Sequence, residues 1–71
     1  MNDLEIFDSY YGVVVGGTYK GAYVKLENGV KVYAHKYANL KYGTKVLCTV
    51  LKISENYLPL VAVDSVLEYA A

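Results

Sequence analysis

Apolar and polar residues alternate with a period of two along most of the chain, the spacing of strands that bury one face and show the other to water. The clearest stretch runs from Ala22 to His35, AYVKLENGVKVYAH. Ala22, Val24 and Leu26 share one face, and on the return Val30, Val32 and Ala34 do the same. Asn28-Gly29 separates the two runs, and an Asn-Gly pair favours a tight hairpin because both residues tolerate positive φ. The opposite faces carry Tyr23 and Lys25, then Lys31, Tyr33 and His35. The pattern predicts a hairpin with a core wall on one side and a row of rings, lysines and an imidazole exposed on the other.

The same reading extends outward from the hairpin. Tyr11 to Tyr19 is β-branched and aromatic and reads as a strand, with Gly16-Gly17 marking a bulge or bend that lets it serve two sheet directions. From Lys36 to Thr44 the alternation is lost. Tyr37 and Leu40 stand three apart before Gly43, which predicts one or two helical turns. Lys45 to Ile53 reads as a strand, Ser54 to Tyr57 as a polar connector, and Leu58 to Val63 as a last strand with Pro59 near its start. Ser65-Val66-Leu67-Glu68 has capping-box spacing, although so short a helix needs docking to persist. The expected core is Ala22, Val24, Leu26, Val30, Val32, Ala34, Val46 and Val50.

Five strands, a kinked first strand and a short helical turn between strands 3 and 4 describe an all-β, five-stranded OB-fold Greek-key barrel. Closure also spares so small a domain a long exposed edge. An SH3-like small barrel would account for the strands but not for the helical turn. The 71 residues form a single domain, near the lower limit for a core without staples, with residues 1–9 and 65–71 expected as loose ends.

Charge changes the picture more than composition does. The net charge is zero, yet all seven lysines lie between Lys20 and Lys52, where only Glu27 opposes them. The acids Asp3, Glu5, Asp8, Glu55, Asp64 and Glu68 occupy the flanks, so a segment of +6 sits between ends that total −6. Local potential of this kind steers charged partners irrespective of the mean. The chain has no arginine, which weighs against tight bidentate recognition of phosphate or guanine. One cysteine and one histidine cannot supply a four-ligand zinc site or an internal disulfide, and Cys48 in the run VLCTV reads as a small core residue. No apolar run approaches the roughly 20 residues of a membrane span. The acidic start MNDLE differs from a secretory signal, so a cytoplasmic location is expected.

A family resemblance rests on particular residues. Leu26-Glu27-Asn28-Gly29, followed by Val32, Ala34 and His35, is similar to the LENGxxVxAH segment of bacterial translation initiation factor one. Gly12-Val13-Val14-Val15 and Gly43-Thr44-Lys45-Val46 fall where that family has GVVV-type and GDKV-type segments. Lys20-Gly21-Ala22-Tyr23-Val24 resembles the FGAFV motif of S1 RNA-binding domains, whose aromatic side chains face RNA. By position Tyr23 matches the second aromatic of that motif and His35 the histidine ending the third strand. Lys20 replaces the first phenylalanine, with Tyr19 beside it as a substitute ring. The chain departs from the initiation factor after His35, where Lys36 and Lys41 are the only cations before Thr44, and in its acidic or apolar end from Asp64 to Ala71.

The resemblance implies single-stranded RNA binding, in translation, with the ribosome as a partner. Rings that stack on bases and lysines that meet phosphates fit that chemistry independently. The candidate nucleic-acid-binding residues are Tyr19, Lys20, Tyr23, Lys25, Lys31, Tyr33, His35 and Lys36, acting in a monomer without cofactor. Single-stranded DNA would suit the same face. Tyr37 and Tyr42 are expected to pack against the end of the fold. The rival reading is an adaptor of the same fold that binds a protein through its tyrosine-rich surface, since tyrosine is enriched in such contacts. No nucleophile–base–acid set or phosphate loop points to an enzyme.

Overall fold

The computed structural model describes residues 4–70, and they form five strands in one sheet. The strands are β1 (Ser9–Thr18), β2 (Gly21–Leu26), β3 (Lys31–His35), β4 (Lys45–Lys52) and β5 (Leu60–Glu68). Their order is β1-β2-β3-β5-β4, and β4 pairs with β1 so that the sheet closes in a ring. All pairings are antiparallel except that of β3 with β5. β1 serves two neighbours, Gly12 facing both Leu26 of β2 and Val46 of β4. Its pairing with β2 shifts register between Val14 and Gly16, a bulge beside the glycine pair.

Inside the ring lie Val14, Ala22, Val24, Leu26, Val32, Ala34, Val46, Cys48, Val50 and Val61, all buried. Seven of the eight residues expected in the core are among them; Val30 is half-buried and packs against its edge. Val predominates because a branched side chain at every second position fills a narrow closed sheet in few rotamers.

The β2–β3 turn differs from the two-residue Asn-Gly turn in an instructive way. Gly29 has φ +89°, whereas Asn28 does not share that conformation, and Gly29 N–H donates to Leu26 O at 2.8 Å. Leu26 N–H in turn donates to Val30 O at 2.8 Å, so three residues form the loop. The physical reason is register. A two-residue turn would set Leu26 opposite Lys31 and place a lysine on the core face. The added residue sets Lys25 opposite Lys31 and Val24 opposite Val32, which keeps both apolar runs inside. Asn28 contributes through its side chain, whose Oδ1 accepts from Val30 N–H at 3.1 Å.

No helix occurs among the described residues, and the helical turn expected over Lys36–Thr44 is two separate turns. Leu40 N–H bonds Tyr37 O at 3.3 Å, and Thr44 N–H bonds Lys41 O at 3.0 Å. Lys36 enters with φ 75°, outside the right-handed helical region. The far end of the segment gives its backbone groups to β1: Gly43 N–H donates to Val14 O at 2.8 Å, and Val14 N–H to Thr44 O at 2.9 Å. A helix so short cannot recover its nucleation cost against such bonds. Tyr37 and Leu40 still turn inward onto the core, and the Tyr37 hydroxyl donates to Val63 O at 3.3 Å. Tyr42, expected to pack alongside, is 73% exposed.

Both outer strands reach further toward the chain ends than the alternation indicated. β1 begins at Ser9, and Leu4 packs against the core. β5 continues through Ser65–Glu68 in place of a capped helical turn, because Val66 pairs with Val46 and Glu68 with Lys45. Residues 1–3 and 71, within the ends expected to be loose, lie outside the described residues. Among the described residues no helix is long and apolar enough to cross a membrane.

Candidate nucleic-acid interface

The register of the β2–β3 hairpin assembles the predicted residues on one outer face. Tyr23 stands opposite Tyr33, Lys25 opposite Lys31, and Gly21 opposite His35. The two tyrosine rings lie 5.4 Å apart between centroids, tilted by 52°, and the His35 ring is 6.2 Å from that of Tyr33. Such offset, tilted pairs are favoured by the ring quadrupoles. Lys31 Nζ sits 4.9 Å above the Tyr23 ring, within cation–π range.

Tyr23 and Tyr33 lie on the outer face of the hairpin, as the alternation predicts, and are half-buried there. The rings lean along the sheet and cover small neighbours. At Gly21 an added Cβ would lie 2.7 Å from the Tyr33 hydroxyl and 2.5 Å from Ala34 O. The glycine leaves the space the ring occupies. Thr18 Oγ1 stands 3.4 Å from the same hydroxyl and accepts from Lys20 N–H at 3.1 Å, so the β1–β2 turn is tied to the ring.

Cations lie at both ends of the ring pair. Lys36 N–H donates to Lys20 O at 2.7 Å, which brings these lysines and His35 to one end of the hairpin. Lys25 and Lys31 occupy the other end, directly opposed. Like charges so placed destabilise a sheet. Among the described residues the one lysine–carboxylate contact within 4.0 Å is Lys45–Glu68 at 3.2 Å, so none of these four lysines makes an ion pair there. Tyr19 is 86% exposed in the β1–β2 turn, with Lys20 Nζ 5.4 Å from its ring, and does not join the stacked pair.

Two residues outside the predicted set complete the face, Tyr57 from the expected connector and Leu58 from the start of the expected last strand. Tyr57 and Leu58, with Thr18, Tyr23 and Tyr33, line a depression of about 270 Å³. A second of about 310 Å³ adjoins it, lined by Tyr33, Tyr57 and Leu58 together with Lys52, Ser54 and Leu60. The parallel pairing of β3 with β5 delivers them: Tyr33 faces Leu60, and Tyr33 N–H donates to Pro59 O at 2.9 Å. Nothing local in SENYLP signals this, since the contact depends on a crossover between distant strands.

Elsewhere the outer surface is chemically different. A concavity of about 480 Å³ lies over β1, where Tyr11, Val13, Val15 and Leu67 line it together with Lys25, Glu27 and Lys45. Across β1, β4 and β5, Ser9 Oγ lies 3.1 Å from Thr49 Oγ1, which donates to Asp64. Beneath them Cys48 is buried, and burial, with a smaller contribution from the Asp64 charge, pushes its thiol up to about 11. Such a thiol stays protonated and inert near neutral pH. Among the described residues no three histidine, cysteine or acidic side chains cluster as a metal site would need. No protein-family model, curated protein or solved structure matches the chain.

Proposed function

We propose that the chain is an OB-fold domain that binds single-stranded RNA on the outer face of β2 and β3. The fold assignment is supported by the strand order, the single parallel pairing of β3 with β5, and a bulged β1 that pairs on both sides. OB-folds bind oligonucleotides on this face and on the loops after strands 1 and 4. Those loops carry Tyr19 and Lys20 on one side and Tyr57 on the other. The resemblance of Leu26–His35 to initiation factor one, and of Lys20–Val24 to S1 domains, supports RNA and a role in translation.

One observation carries the reading: the Tyr23–Tyr33 pair stands between two sets of lysines that make no ion pair among the described residues. Opposed like charges weaken the sheet, so the arrangement is better suited to phosphates than to stability. Stacking needs only a ring face, which makes such a surface tolerant of base identity.

Titration of labelled single-stranded RNA, single-stranded DNA and duplex at two salt concentrations tests this. Contact with three or four phosphates gives a log–log salt slope of about −2 to −3, at roughly −0.7 per phosphate for single strands. Micromolar or weaker affinity is expected, since no arginine is present. Absence of binding at low salt would overturn the proposal. The apolar groove over β1 favours a second reading, an adaptor for a protein partner, and salt-independent binding of that partner would support it.

A further inference from the structure

Resting on the RNA-binding proposal, we infer that the interface accepts three consecutive nucleotides and leaves the β2–β3 face to cross the seam onto β5. Three depressions of similar size follow one another. The first, about 270 Å³, lies between Thr18 and Tyr57 and is floored by Tyr23 and Tyr33. The second, about 310 Å³, shares Tyr33, Tyr57 and Leu58 with the first and reaches Lys52. The third, about 260 Å³, shares Leu60 with the second and is lined by His35, Lys36, Tyr37, Leu51 and Ala62 as well. Each lies at or below the small end of ligand pockets, which suits one planar base more than a compact ligand.

The dividing walls are rings and aliphatic side chains, and each depression has a ring beside it. Tyr57 divides the first two depressions yet remains 78% exposed, so both sides of it are open to a stacked base. The exposed His35 supplies the ring surface of the third, and Tyr37 lines it from the core side. Lysines that make no ion pair among the described residues line the last two, Lys52 in the second and Lys36 in the third. The trail ends there, because the next outward residues on β4 and β5 are Thr49 and Asp64, already bonded to each other. A carboxylate at that point repels a fourth phosphate.

Labelled oligouridylates of one to six nucleotides provide the test, at one low salt concentration with the intact chain. Affinity is expected to rise by about tenfold for each nucleotide up to the third and to change little beyond it. His35→Ala should move the break from three nucleotides to two. Tyr57→Ala should weaken the dinucleotide and the trinucleotide alike, since both lean on that ring. Both residues are exposed, so each variant retains the fold. A steady rise through six nucleotides, or a break at three unmoved by His35→Ala, would overturn the footprint while leaving RNA binding intact. No binding at any length would overturn both.

Discussion

Two outer faces of one closed sheet follow opposite rules of pairing. On β4 and β5, Lys45 meets Glu68 at 3.2 Å, and Thr49 donates to Asp64. On β2 and β3, Lys25 meets Lys31 and Tyr23 meets Tyr33, with no acid among them. The interior behind both faces is the same valine-rich packing, so the difference is not imposed by folding. It teaches where stability was not the criterion for choosing a residue. Under the proposed function, phosphates would supply the counter-charge that the opposed cations lack.

The comparison can be broken most forcefully at Gly21. Gly21→Ala inserts a Cβ 2.5 Å from Ala34 O and 2.7 Å from the Tyr33 hydroxyl. Overpacking of this kind costs about 1–3 kcal/mol in stability. Thermal unfolding should record that loss, and RNA titration of the folded variant should show weaker binding because the ring is displaced. Unchanged stability and affinity would refute the role given to this glycine.

Next come the rings themselves. Tyr23→Ala or Tyr33→Ala should weaken RNA binding by about 1–3 kcal/mol, and replacement by phenylalanine should cost little, since stacking uses the ring. Tyr37→Ala serves as the contrast: its hydroxyl bonds Val63 O and its ring packs on the core, so stability should fall more than affinity. If the two alanine variants unfold while the folded fraction binds as before, the rings are sheet packing alone.

The lysines give a smaller effect with an unusual sign. Lys31→Ala should flatten the salt slope by roughly 0.7 and weaken all sequences alike. It should also leave stability unchanged or slightly higher, because Lys25 loses an opposed like charge. Lys45→Ala, on the satisfied face, should leave affinity unchanged and lower stability by no more than about 1 kcal/mol. Identical behaviour of the two variants would erase the distinction between the faces.

The last test concerns the interior and shows only at high pH. The Cys48 thiol is raised from 9.0 to about 11 in the folded chain, so the unfolded chain loses that proton first. Stability from this group is complete below pH 9 and is lost as pH rises toward 11. Comparison with Cys48→Ala by denaturant unfolding across that range isolates it. Asp64→Asn should narrow the window by removing the second cause of the shift.

The five strands and most of the core were legible because a period of two leaves a plain record in the order of residues. Turn geometry was less so. Asn28-Gly29 announced a hairpin, but the loop length followed from keeping Leu26 and Val30 on one face, a demand of the whole sheet. The segment after His35 read as helical because its spacing was local, whereas its bonds go to Val14 on β1. At the interface the same division holds. Tyr23, Tyr33 and the lysines lie on one hairpin and were visible together, while Tyr57 and Leu58 arrive through the parallel contact of β3 with β5, which no short window contains.

That parallel contact has a consequence in time. β3 and β5 meet at only two paired positions, Tyr33 with Leu60 and Ala34 with Val61. The hairpin joins neighbours in sequence and can form early, whereas this seam must close a long loop and is slow for that reason. By that argument the tyrosine pair would form before Tyr57 is brought to it. A chain caught with the seam open would present half of the proposed interface, and an oligonucleotide touching both sides would act as a latch, holding that contact shut and lengthening the life of the closed ring.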